Sequence, residues 1–169
     1  MTRAALFCFL LLCSGNAIAQ ADAGQEPIAI LEIGGAPNWN FKDTAWSAGP
    51  TAAVEITPIE NWLELEFGTT AAFAHNSTEW DTDLLFKKPW TLTKKVEFMF
   101  GAGPVWIHAR DNSIRTNSVG GEIALDFMFW PTTSRRFGWY LEPGYQYNFG
   151  ARHDQSVGIS VGLLIAIRR

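Results

Sequence analysis

Three histidines and a scatter of carboxylates are the residues in this chain whose types suggest chemistry. His75 and Ser77 stand two apart, and an imidazole beside a hydroxyl is the pair that activates serine for attack on an ester. His108 with Asp111, and His153 with Asp154, supply two imidazoles and two carboxylates, a loose metal set if the segments carrying them meet. Neither group has the spacing of a dedicated site, and zinc patterns, glycine-rich phosphate cradles and catalytic triads are missing from the sequence. Solvated loop residues are the simpler reading of all three histidines. No catalytic, cofactor-binding or metal-binding residue is therefore assigned, and no cofactor is expected.

Cysteine chemistry is excluded by position. The two cysteines, Cys8 and Cys13, lie in an apolar stretch after Arg3, and Ala17-Ile18-Ala19 follows as a small-x-small cleavage pattern. Residues 1–19 read as a cleaved signal peptide and 20–169 as the mature domain. A lipid anchor on Cys13 is disfavoured because Leu12 stands where such processing wants a small residue. The formal net charge of -4 gives no basic field, so nucleic acid is not an expected partner.

Any functional side chain must be positioned by strands. After the leader no window of 18 apolar residues exists to form a membrane-crossing helix. Period-two alternation is plain instead. Val157, Ile159, Val161, Leu163, Ile165 and Ile167 share one face of the last strand, opposite Ser156, Gly158, Ser160, Gly162, Leu164 and Ala166. The same alternation runs through Val96 to Trp106, Glu122 to Trp130 and Trp139 to Phe149, and less regularly through Thr51 to Ile56 and Leu63 to Gly68. Ile28 to Ala36 and Trp80 to Phe86 complete eight strands.

By parity Glu55, Glu64, Glu66, Glu97, Glu122, Asp126 and Glu142 all fall on the less apolar face, beside Gly, Ser and Ala. That mixture suits a narrow lumen lined by hydrogen-bonded carboxylates, with the apolar face turned outward. Basic partners for them are expected from loops, namely Arg110, Arg115 or Arg152. Trp46, Trp62, Trp80, Trp106, Trp130 and Trp139 sit at predicted strand ends, with Trp90 close by, where an interfacial girdle places indoles.

Seven short polar segments separate the strands: 37–44, 57–61, 74–79, 87–95, 108–118, 131–138 and 150–155. Hairpins of this length imply antiparallel neighbours in up-and-down order. With both termini on the periplasmic side, Lys87-Lys88, Lys94-Lys95 and Arg135-Arg136 fall in periplasmic turns. The expected fold is thus an all-β, antiparallel, up-and-down transmembrane β-barrel of about eight strands.

The alternation, the strand-end aromatics and segments such as Gly101-Ala-Gly-Pro-Val-Trp106 and Glu142-Pro-Gly-Tyr-Gln-Tyr-Asn-Phe149 resemble the small eight-stranded outer-membrane β-barrels, the superfamily of the OmpA membrane domain and OmpX. The resemblance implies a bacterial cell outer-membrane location and a structural or interaction role with a largely plugged polar lumen. It also implies contact with outer-membrane lipids and lipopolysaccharide, insertion by the barrel-assembly machinery, and a monomer. One departure is the ending Ile167-Arg168-Arg169, where such barrels usually close on an aromatic residue. His75-Asn76-Ser77 is similar to the His-x-Ser pair of outer-membrane lipid A deacylases, which implies an esterase as the alternative, though there the pair lies on a later strand. A soluble periplasmic lipid-binding barrel, apolar face inward, is a third reading.

Overall fold

The computed structural model describes residues 27–168 apart from 76, 112, 113 and 152; the leader at 1–19 lies outside them. Eight strands follow in chain order: β1 Ala29–Asn40, β2 Ala45–Ile59, β3 Leu63–Phe73, β4 Ser77–Thr93, β5 Val96–Asp111, β6 Ile114–Phe129, β7 Phe137–Asn148 and β8 Gln155–Ile167. Each pairs antiparallel with its sequence neighbours, and β1 pairs with β8 to close the barrel. The closing register runs from Ala29 opposite Ile167 to Asn40 opposite Ser156.

Alternation sets which face is which. Phe67 is 58 % exposed while Glu66 is 3 %, and Leu163 is 63 % exposed while Leu164 is wholly buried. The apolar face is therefore the exterior, and the carboxylates point inward, as parity requires. Trp39, Trp46, Trp80 and Trp106 lie toward the barrel end formed by the β1–β2, β3–β4, β5–β6 and β7–β8 connections, here called the distal end. Trp62, Trp90 and Trp139 lie toward the opposite end, which carries both termini. Trp130 departs from the expected girdle: it is 1 % exposed and points inward.

The strands are longer than the alternation indicated. The segments 87–95 and 108–118 are mostly strand, not loop. Two adjacent lysines and a proline read as a turn, yet β4 runs through them. Pairing of β4 with β3 stops at Lys87 opposite Glu64, so Pro89 needs no donor on that side, while β5 holds it opposite Met99. Between β5 and β6, Asp111 lies opposite Ile114, so two residues make the connection.

Small residues allow the closing strands to come together. An added Cβ at Gly162 would stand 2.2 Å from the Ile33 carbonyl oxygen and 2.6 Å from the Gly34 Cα. One at Gly34 would stand 2.2 Å from the Val161 oxygen and 2.8 Å from the Tyr140 hydroxyl. These obstacles are mostly backbone, which cannot swing aside. Gly162→Val is accordingly expected to destabilise the barrel by about 1–3 kcal/mol or more. The check is the temperature at which the compact gel band of unboiled protein is lost, which should fall; an unchanged temperature would show that the β1–β8 seam has room to spare.

Candidate functional site

The lumen is built in layers along the strands. Nearest the termini, Ile30, Met99, Met128, Trp130, Tyr140 and Leu164 pack into one apolar cluster. Trp130 is held there by its indole, which donates to Glu97 Oε2 at 3.2 Å, and Arg135 bonds the other Glu97 oxygen at 2.5 Å.

Above that cluster sits Lys87. Its strand position directs it inward, Gly101 directly opposite on β5 leaves room for its stem, and its side chain is fully buried. The ammonium donates to Glu66, to Asp126 Oδ2 at 3.0 Å and to Glu142 Oε2 at 2.5 Å, and Glu55 Oε2 lies 3.9 Å away. Four strands thereby meet on one nitrogen: β4 supplies the cation, and β3, β6 and β7 supply its bonded carboxylates. Burying any of these charges alone would cost several kcal/mol, so the arrangement survives only because the partners meet.

Glu32, Glu55, Glu66 and Asp126 bring carboxylate oxygens within 4.8 Å of one another around this point. On the distal side the lumen continues into a cavity of about 70 Å³ bordered by Glu32, Asp81, Asp83, Glu122, Glu142 and Gln146. Glu122 reaches across Gly144, and Asp83 across Gly68, so glycine again makes room for an inward acid.

Of the seven carboxylates expected inside, Glu55, Glu66, Asp126 and Glu142 gather in the Lys87 layer. Glu122 borders the cavity, Glu97 holds Trp130, and Glu64 stands beside Glu55. The basic partner is a correction. Arg110 and Arg115 lie on β5 and β6, exposed, and Arg152 is outside the described residues. Lys87, read as a solvated turn residue, is the cation instead, whereas Lys94-Lys95 and Arg135-Arg136 do lie in turns at the terminal end. Glu32, Asp81 and Asp83 were missed. For Asp81 and Asp83 the signal was present, since Asp81, Asp83, Leu85 and Lys87 alternate in one phase once β4 is allowed to run on.

The other chemistry candidates are not assembled. His75 is exposed, and no hydrogen bond joins it to Ser77. His108 pairs with Asn117, His153 with Tyr147 at 3.1 Å, and Asp154 with Lys42 at 3.5 Å, so the two histidines form no shared site with these acids among the described residues.

No protein-family model matches this sequence, and no characterised protein matches it significantly. Solved structures do. Neisserial surface protein A aligns with a TM-score of 0.67 at 12 % identity, covering 82 % of this chain and 96 % of that one. The N-terminal β-barrel domain of Pseudomonas aeruginosa OprF aligns at 0.60 and 16 %, covering 83 % and 100 %. Ail, the attachment invasion locus protein of Yersinia pestis, aligns at 0.60 and 12 %, covering 83 % and 99 %. The fold is thus that of the small eight-stranded barrels; identities this low say nothing further.

Removing the ammonium leaves its acids buried without their cation. Lys87→Met is expected to lower unfolding stability by about 3–5 kcal/mol, read as an earlier urea midpoint for the barrel refolded in detergent. Adding Glu66→Gln and Asp126→Asn to that variant should restore part of the loss. A Lys87→Met barrel as stable as the parent would mean that the layer is not held by its cation.

Proposed function

We propose that this chain is a non-catalytic, structural or interaction-type barrel of the bacterial outer membrane, reached by signal-peptide export, working as a monomer with a closed lumen. One observation carries the reading: a broad apolar exterior bounded by tryptophans at both ends surrounds an interior filled with acids, glycines and one buried lysine. Water would penalise that exterior severely, whereas lipid accepts it and the indoles suit the interfaces. The apolar cluster around Trp130 and the Lys87 layer together occlude the bore, which argues against flux. The lack of a hydrogen bond between His75 and Ser77 favours this reading over an esterase, and the inward acids favour it over a soluble lipid carrier.

Interaction is assigned to the distal rim. A strand of about ten residues crosses the hydrocarbon, and β5 and β6 run on past the last β6–β7 pair, Gly120 opposite Asn148, to Asp111 opposite Ile114, so this hairpin rises above the membrane. On its outer face Arg110 and Arg115 stand directly opposite each other, both exposed. Like charges in register repel unless an anion lies between them. Phosphates of lipopolysaccharide or other lipid head groups at the membrane surface have the right charge and place. Two structural neighbours are named as a surface protein and as an attachment and invasion protein, in keeping with an interaction role.

Expressed with its leader in a Gram-negative host, the chain should fractionate with the outer membrane and run as a compact band until boiled. In planar bilayers the purified barrel should show no sustained conductance steps, and Arg110→Glu with Arg115→Glu should cut co-purifying lipopolysaccharide several-fold while the compact band persists. Recovery as soluble periplasmic protein, or stable channels from the parent chain, would overturn the proposal.

A further inference from the structure

Lysine has three ammonium hydrogens. In the Lys87 layer all three have takers, Glu66, Asp126 and Glu142, so none remains for the other two acids of the layer. Glu32 is 2 % exposed and Glu55 1 %; Glu32 Oε1 lacks a hydrogen-bond donor, and Glu55 has only the neighbouring Glu64 carboxyl to share a hydrogen bond with. Asp126 Oδ1 is unpartnered as well, and Glu64 adds a further carboxylate beside Glu55. Oxygens buried without donors are costly, and several within one small volume are costlier.

The geometry points to a second cation beside Lys87: we propose that Glu32, Glu55, Glu66 and Asp126 form a binding site for a hard divalent ion, Ca²⁺ by preference. Their ligand oxygens already lie within 4.8 Å of one another, a span that oxygen ligands of one ion occupy. The donor set is oxygen alone, without histidine or cysteine, which selects hard cations over zinc or copper. Ca²⁺ accepts irregular sets of six to eight oxygens at about 2.3–2.6 Å, whereas Mg²⁺ demands near-octahedral geometry and gives up water reluctantly. Four carboxylates, two of which also accept from Lys87, make an irregular set. Water completes the shell from the adjoining cavity, which Glu32 and Glu66 also border and which Asp81, Asp83 and Glu122 make attractive to cations. The ion therefore enters from the distal end. This assignment depends on the inward face of the barrel and not on its role in the membrane.

The test uses the mature chain refolded in a zwitterionic detergent free of lipopolysaccharide and stripped of metal. Equilibrium dialysis against Ca²⁺, with elemental analysis of the protein, is expected to give one ion per folded barrel and none on the boiled chain. The unfolding temperature should rise by several degrees and saturate with Ca²⁺, more than with Mg²⁺ and not at all with NaCl of equal ionic strength. Glu32→Gln and Glu55→Gln, singly and together, should abolish the bound ion, while Glu60→Gln in an exposed turn should keep it. No bound Ca²⁺ on the folded parent at millimolar concentration would overturn the proposal and leave protons to neutralise the acids. So would stoichiometric binding that survives Glu32→Gln and Glu55→Gln, which would place the ion on the surface. Failure of the amide variants to fold would leave the parent stoichiometry to decide.

Discussion

The interior of this barrel depends on one buried ammonium. Lys87 brings acids from three other strands to a single nitrogen, and the apolar cluster below and the acid-lined cavity above take their places relative to that contact. Hydrophobic burial, which orders the core of a soluble domain, operates here over a small part of the lumen only. Most of the large apolar side chains face out, so the polar interior must hold the strands in register. A charge that satisfies several partners at once does this with more specificity than scattered pairs would.

Steric constraint works alongside the charge. Eight strands enclose a narrow bore, and each long inward side chain needs a short neighbour. Gly101 faces the Lys87 stem, Gly68 faces Asp83, Gly144 faces Glu122, and Gly34 lies under the Tyr140 hydroxyl. The frequent glycines of the sequence are thus the complements of its inward acids and aromatic residues. Distal of the Lys87 layer the complement is incomplete, and the space left over is the acid-bordered cavity.

Strand number and order were legible because period two is insensitive to context: Val157 to Ile167 can be sorted into two faces by parity alone, whereas which face turns outward was read from the small residues and carboxylates on one face and from the tryptophans at strand ends. Lengths were not legible, since the residues that prolong β4, β5 and β6 include Lys87, Lys88, Pro89, Arg110, Asp111, Arg115, Thr116 and Asn117, types that a loop also favours. Lys87 illustrates why. A lysine pair followed by proline has every local mark of a turn, and only carboxylates that are 21, 39 and 55 residues away in sequence make the inward position tenable. Trp130 was misplaced for a similar reason, because its inward position rests on Glu97 and on apolar neighbours from β1, β5, β7 and β8. The acids were found by parity where the strand was recognised, and lost at Glu32, Asp81 and Asp83 where it was weakly marked.

The proposed membrane role turns the apolar side chains toward lipid and closes the lumen on its own polar and buried groups. Methyl relaxation in the folded barrel, with a nitroxide-labelled lipid in the bilayer, tests it most directly and needs no mutation. Methyls of Ile123, Leu125, Ile159, Val161 and Leu163 should broaden strongly, while those of Leu85, Met99, Met128 and Leu164 stay sharp. Leu163 and Leu164 are the sharpest comparison, being adjacent in sequence and on opposite faces. Broadening of Leu164, Met128 and Leu85 with Leu163 and Ile159 untouched would turn the barrel inside out.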